Sequence, residues 1–228
     1  MDVRNRQPNI LEDLPPEMVV EILSRVGQDS SAQLFMMKLV CKAFERHSKQ
    51  ALVYRRLSFD RWCISHWRNP KLAHIFFRAM CSGNPNAIFR YGLRAYFDSV
   101  YPNIGLRSLD KASNMQLKEA CYVYGLVMFA SHQTEKKNVG LQLLNRTFPL
   151  VTDSVVEVRD KVFNLLRYCW ILGNPHPFDN TATCCTIKDH KDYFPLDLGW
   201  EIELVKPECM TCSWSYELRV LTERFEFN

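Results

Sequence analysis

The sequence predicts a mainly α chain in three parts: a three-helix module at the N-terminus, a helical-repeat domain, and a small β-hairpin or ribbon tail at the C-terminus. Three observations carry this. Apolar residues recur at helical spacing from Leu14 to Val26. Small and aromatic residues further along repeat with the fixed offset that separates Gly92 from Gly125. The helical pattern then stops at Gly173-Asn174-Pro175-His176-Pro177, and short alternating segments follow.

The N-terminal module is taken first. Leu14, Met18, Val19, Ile22, Leu23 and Val26 fall on one face at 3.6 residues per turn. Glu17, Glu21, Ser24 and Arg25 fall on the other. Pro15 and Pro16 fit only at the start, where the first turn needs no backbone donor. Gly27 is placed to end the helix in a left-handed conformation. Asp29, Ser30 or Ser31 can cap a second short helix. Leu39-Val40-Cys41-Lys42-x-Phe44 is assigned to a third. Three such short helices cannot bury all their apolar surface. The surplus marks either a partner-binding face or an ordinary core helix pair of a larger domain.

The order and spacing of particular residues separate those readings. Leu14-Pro15-x-Glu17, Glu21-Ile22-Leu23 and Leu39-Val40-Cys41-Lys42-x-Phe44, over roughly residues 11–58, resemble the F-box. The resemblance implies a small helical unit that docks on a Skp-type adaptor, and through it on a cullin and a RING subunit of a ubiquitin ligase. Carried over by position, it implies a docking surface of Leu14, Pro15, Ile22, Leu23, Val40, Cys41 and Lys42. Phe44 stands where that family often has tryptophan, and another aromatic fills the same space.

Composition bounds the rest. With 47% hydrophobic and 24% charged residues the chain reads as an ordinary globular one, of one or two domains. No window approaches the apolar length of a membrane helix. The polar start, MDVRNRQPN, lacks the apolar core of a secretory signal, so an intracellular site, nuclear or cytoplasmic, is expected. Nine cysteines then read as reduced thiols or metal ligands, not disulfides. Residues 1–80 carry 13 Lys/Arg against 8 Asp/Glu, a net of +5, while the remainder carries 16 against 17. A basic N-terminal half can be steered onto an acidic partner. Nucleic acid is not expected, because there is no dense basic run and no RNA-binding or paired zinc-finger signature.

Residues 1–10 read as a flexible arm, 11–58 as the docking module, 59–172 as the repeat domain and 173–228 as the tail. The aromatic-rich stretch Ala51 to Trp67 links the first two folded parts. Ala87, Phe89, Tyr91 and Gly92 recur at one constant offset as Ala120, Tyr122, Tyr124 and Gly125. Gly105-Leu106-x-x-Leu109 recurs as Gly140-Leu141-x-x-Leu144, at nearly the same offset. Two interleaved motifs at nearly one period indicate a duplicated helix-turn-helix unit, with small residues where helices approach. Leu72–Met80 and Val155–Leu172 are the expected flanking helices. The pattern resembles tetratricopeptide or Sel1-like repeats. Together with the N-terminal motifs, Cys81-x-Gly83-Asn84-Pro85-x-Ala87 and Ala120-x-Tyr122-x-Tyr124-Gly125-Leu126 resemble a family of small plant F-box proteins with a short helical-repeat domain.

In the tail, Trp200–Val205 and Trp214–Val220 alternate partly and are expected as two β-strands. Cys185-x4-His190 is followed further along by a second close pair, Cys209-x2-Cys212. Two close ligand pairs set apart by roughly 15–20 residues are what a structural zinc ribbon uses, since each tight knuckle presents two side chains to one ion. Cys184 and His176 are alternative ligands, and cysteine also packs well as a small buried residue. No P-loop, nucleophile elbow or H-E-x-x-H occurs, so no catalytic residues are assigned. The expected function is therefore non-enzymatic: a substrate-recognition adaptor of a Skp–cullin–F-box ubiquitin ligase that takes a target protein through its C-terminal region. The alternatives are a helical-repeat interaction scaffold unconnected with ubiquitination, and a small zinc-dependent or cysteine enzyme.

Overall fold

The computed structural model describes residues 14–60, 62, 69–97, 101–149, 153–166 and 209–226. Eleven helices and no strand lie among the described residues. By packing the chain divides after Ile88 into two units.

In the first unit, α1 (Pro16–Asp29) opens with Pro15 at its cap and Glu17 in its first turn, as dipole and donor chemistry favour. Gly27 does not end it. The glycine lies within the helix and is buried, and a Cβ there would stand 3.1 Å from Leu34 and 3.6 Å from Leu57. Close packing, not chirality, explains this glycine. Ser30 ends α1 and caps α2 (Ser31–Met37), its Oγ accepting from Gln33 N–H at 3.3 Å. The third helix is shorter than expected: α3 covers Lys42–His47 only. Leu39 and Val40 lie in the turn before it, and the Cys41 thiol caps it by accepting from Phe44 N–H at 3.5 Å.

Helices α2, α3 and α4 (Ala51–Arg56) pack on α1, and α5 (Pro70–Cys81) packs on α4. Val19, Leu23, Leu34, Phe44, Val53, Leu57 and Phe59 make the core. Trp62 lies edge-on to Phe59 and donates from Nε1 to Ser31 Oγ at 2.9 Å. Gly83, at φ +79°, ends α5 in the left-handed region that favours glycine. The next residue, Asn84, closes the turn by donating its N–H to Ala79 O at 3.0 Å. Its buried amide donates to Tyr54 O and Leu57 O, and accepts from Ala87 N–H at the start of α6 (Pro85–Phe97).

The second unit shows why the sequence repeats. Helix α8 (Lys118–Phe129) begins one period after α6, so Gly92 and Gly125 hold equivalent positions. Gly92 faces Leu109 of α7 (Pro102–Asn114), and Gly125 faces Leu144 of α9 (Thr134–Thr147). The partner glycines complete the scheme. Gly105 of α7 lies against the backbone of Tyr96, and Gly140 of α9 lies against Gly125 O and Phe129 N–H. The same period reaches back to α5. Phe76, Ala79 and Gly83 stand one period before Leu109, Ala112 and Gln116. The first two pairs are buried, and the third pair shares a positive φ. Both expected flanking helices are present within the described residues, as α5 and as α10 (Asp153–Leu166).

The tail departs from expectation. Trp214–Val220 is not a strand but part of a helix, α11 (Met210–Glu226). Trp200–Val205 lies outside the described residues. The alternation of Trp214, Tyr216, Leu218 and Val220 mimics a short strand. The longer spacing of Trp214, Glu217, Leu218 and Leu221, all buried, is helical. Trp214 is fully buried between Phe148, 5.9 Å away by ring centroids, and Asn145, whose Oδ1 accepts from its Nε1 at 2.8 Å.

Glu217 makes the decisive polar contact. Tyr122 of α8 donates its hydroxyl to Glu217 Oε2 at 2.7 Å, and Arg159 of α10 donates to Oε1 at 3.1 Å. All three side chains are buried. Burial raises the Glu217 carboxyl above its ordinary range, although Arg159 and Tyr122 pull the other way. The Tyr122 hydroxyl is pushed well up, first by burial and then by the Glu217 charge.

Two kinds of substitution test this packing. Gly140→Ala forces a Cβ to within 2.6 Å of the α8 backbone and should cost about 1–3 kcal/mol in urea denaturation. Gly92→Ala meets its neighbours only at 3.0–3.1 Å, and the helix propensity gained, about 1 kcal/mol, should leave it near neutral. Glu217→Ala should cost about 3–5 kcal/mol by leaving the Arg159 charge buried without its carboxylate. Equal stabilities for the two glycine variants, or an unshifted midpoint for Glu217→Ala, would contradict the packing described.

Candidate functional site

The N-terminal module leaves part of its apolar surface uncovered, and α1 decides which part. Residues on one broad helical stripe separate into two rows. Val19 and Leu23 point inward and are buried, whereas Met18 and Ile22 are 52% and 40% exposed. The end of α2 and the turn after it add Met36 at 66%, Leu39 at 80% and Val40 at 66% exposure. Leu39 and Val40 are presented this way because they lie outside any helix, between the end of α2 and the Cys41 cap.

The docking residues implied by the F-box resemblance are distributed accordingly. Pro15, Ile22, Val40 and Lys42 are exposed, and Leu14 and Cys41 are half-buried. Leu23 is wholly buried, so it supports the face from beneath. Sequence spacing alone could not separate Leu23 from Ile22, because adjacent residues on a broad apolar stripe differ only in what the neighbouring helices cover. Three further exposed residues, Met18, Met36 and Leu39, are absent from the implied docking set, though Met18 and Leu39 belong to apolar patterns evident in the sequence.

Polar contacts hold α1 and α4 in register. The Glu21 carboxylate accepts from Arg25 Nε at 2.9 Å and from Arg56 at 2.8 and 2.9 Å. These hydrogen bonds, Arg25 first, lower its pKa from the ordinary glutamate value. Arg56 also donates to Ser24 Oγ at 3.1 Å, which explains a serine fully buried on α1. Ser58 N–H donates to Gly27 O at 2.8 Å and fixes the exit from α4.

Of the zinc ligands expected from sequence, Cys185 and His190 lie outside the described residues. Cys209 and Cys212 stand at the first turn of α11, not on a knuckle between strands. Cys212 is wholly buried. Backbone N–H groups of Cys212 and Thr211 donate to the Cys209 sulfur and lower its thiol pKa. Among the described residues, no three His, Cys, Asp or Glu side chains gather around a common point.

Comparison with known proteins bears on both parts of the chain. Residues 59–167 match the family described as plant tetratrico peptide repeats. Over 167 residues the chain is 29% identical to an Arabidopsis thaliana protein, At1g67623, whose name gives it as an F-box protein by inference. That alignment takes in 72% of this chain and 56% of the relative, so the chain spans little more than half of that relative's length. It is also 24% identical over 136 residues to F-box protein At2g35280 of the same plant, covering 60% of this chain and 83% of the relative. This chain resembles plant F-box proteins with tetratricopeptide-like helical repeats. No solved structure matches it. In the N-terminal module the uncovered apolar residues coincide with positions of the F-box-like motifs, Ile22 and Val40 above all. No helix among the described residues is long and apolar enough to cross a membrane.

Proposed function

We propose that this chain is the substrate-recognition subunit of a Skp–cullin–F-box ubiquitin ligase and that it contributes proximity, not catalysis. The observation that carries this reading is the exposure of large apolar side chains at Ile22, Leu39 and Val40, on the N-terminal module of a chain whose relatives bear F-box names. An isolated folded module gains nothing by exposing such residues to water, and burying each fully against a partner is worth about 1.5–3 kcal/mol. The partner is a Skp-type adaptor, joined through it to a cullin and a RING subunit. The α5–α11 region takes the target protein. Holding that target near a ubiquitin-loaded enzyme raises its effective concentration, which accelerates transfer without any catalytic group on this chain.

The test is capture by an immobilised Skp-type adaptor. Ile22→Ala with Val40→Ala truncates two exposed side chains and leaves the buried core intact. The double variant should bind at least about 30-fold more weakly, corresponding to about 2 kcal/mol at a central interface residue. Its helical circular dichroism and melting should match the parent chain. Unchanged affinity, with the parent chain captured and both proteins folded, would refute the docking assignment.

A further inference from the structure

The first unit carries a second surface feature that adaptor docking does not use. A cleft of about 450 Å³ opens between the end of α2, the turn after α3, and helices α4 and α5. Its walls hold Lys38, Lys49, Lys71, His74 and Arg78, with the ring of Tyr54 beside them. Lys71, His74 and Arg78 follow one another at helical spacing, so one face of α5 supplies three of the five basic groups. No carboxylate lines the cleft among the described residues. The acid that pairs with these cations, Glu45, is exposed and binds Lys49 Nζ at 2.9 Å.

Two of these cations, Arg78 and Lys38, are placed by contacts with aromatic rings. The Arg78 guanidinium lies 4.7 Å from the centroid of the buried Tyr54 ring and donates to Lys49 O at 3.1 Å. Lys38 Nζ lies 5.3 Å from the Phe35 ring centroid. Burial, with the nearby Lys49 and Arg78 charges, lowers the Lys38 ammonium pKa, while Glu45 opposes the shift without cancelling it. The half-buried Lys38 ammonium is thus held among like charges at an open cleft whose other cations, Lys49, Lys71, His74 and Arg78, are exposed. Such an arrangement costs free energy in the free protein, and a bound anion would recover it.

We propose that this cleft binds a small soluble ester or anhydride carrying two or more adjacent phosphate groups, held by Lys38, Lys71 and Arg78. The number of phosphates follows from charge. Lys38, Lys49, Lys71 and Arg78 against Glu45 leave three positive charges, and one phosphate monoester carries at most two negative ones. The size follows from the cleft, which is open to solvent and, at about 450 Å³, has room for a small molecule. Convergence on one recess argues against a nucleic-acid backbone, which needs cations spread along a track. Arg78 supplies the planar fork suited to phosphate oxygens, with lysines acting as point charges around it.

The experiment is calorimetric titration of the full chain at physiological salt, with tripolyphosphate and pyrophosphate as probes. Orthophosphate, citrate, a single-stranded oligonucleotide and an acidic peptide are the comparisons. Saturable one-to-one binding is expected, strongest for tripolyphosphate and at least tenfold weaker for orthophosphate and citrate. Lys38→Gln with Lys71→Gln should weaken tripolyphosphate binding at least tenfold. Arg78→Lys, which keeps the charge and removes the fork, should weaken it less. Because Arg78 also packs on Tyr54, the lysine pair is the deciding variant, and its melting temperature should match the parent. Four results would each overturn the proposal: no saturable binding, equal binding of citrate, tighter binding of the oligonucleotide or acidic peptide, or an affinity indifferent to loss of both lysines. None of these outcomes depends on whether the module also captures a Skp-type adaptor.

Discussion

Helix α8 is apolar on every side, and the second unit is arranged to cover it. From Ala120 to Phe129, every residue except Tyr124 is buried. A surface helix keeps one polar face, whereas one that is hydrophobic all round must be enclosed. Helices α7, α9, α10 and α11 do this, each packing against α8. Enclosure at close range requires small residues, which is why Gly125 and Gly140 meet where α8 and α9 cross. It also creates a polar obligation. Tyr122 carries a hydroxyl into the centre of this packing, and an unpaired hydroxyl there would cost about 1–3 kcal/mol. Glu217 accepts the hydrogen bond of that hydroxyl, Arg159 supports Glu217, and so α8, α10 and α11 are joined at one buried point.

The N-terminal module follows the opposite logic. Its helices are too short to enclose one another, so the apolar residues of α1 are divided between a core and a surface. Val19 and Leu23 hold the module together, which leaves Met18 and Ile22 outside. The same chain therefore contains one helix that had to be covered from all directions and one that was left partly open. The polar ties of Glu21 with Arg25 and Arg56 keep the open face in shape without hiding it.

The basic excess of the N-terminal half acquires a location in the folded chain. As a count along the sequence, the lysines and arginines of residues 1–80 describe only a diffuse solvated surface. Folding gathers Lys38, Lys49, Lys71 and Arg78 from separate segments into one recess, while Arg25 and Arg56 are spent on Glu21. Net charge says little about such sorting. What matters is which cations find carboxylates nearby, and that depends on helix packing.

Local regularities were legible in the sequence. The start of α1, the Ser30 cap, the repeat period, and the glycines of the repeated helices all follow from spacing and residue type, because each depends on a few neighbours in the chain. The extent of α3 was not, since a cysteine thiol capped the helix where serine would have been the expected signal. The tail differs for a related reason. The residues around Trp214 alternate well enough for a strand, and only burial of Trp214, Glu217 and Leu221 against α8, α9 and α10 selects the helix. Likewise no spacing rule could join Tyr122 to Glu217, 95 residues apart. The sequence by itself determined the start of α1, the Ser30 cap, and the period and small residues that let the repeated helices approach closely. Which apolar residues stay exposed, which charges are paired, and which cations share a cleft were decided by tertiary structure, because burial and Coulomb interactions depend on distance in space and not along the chain.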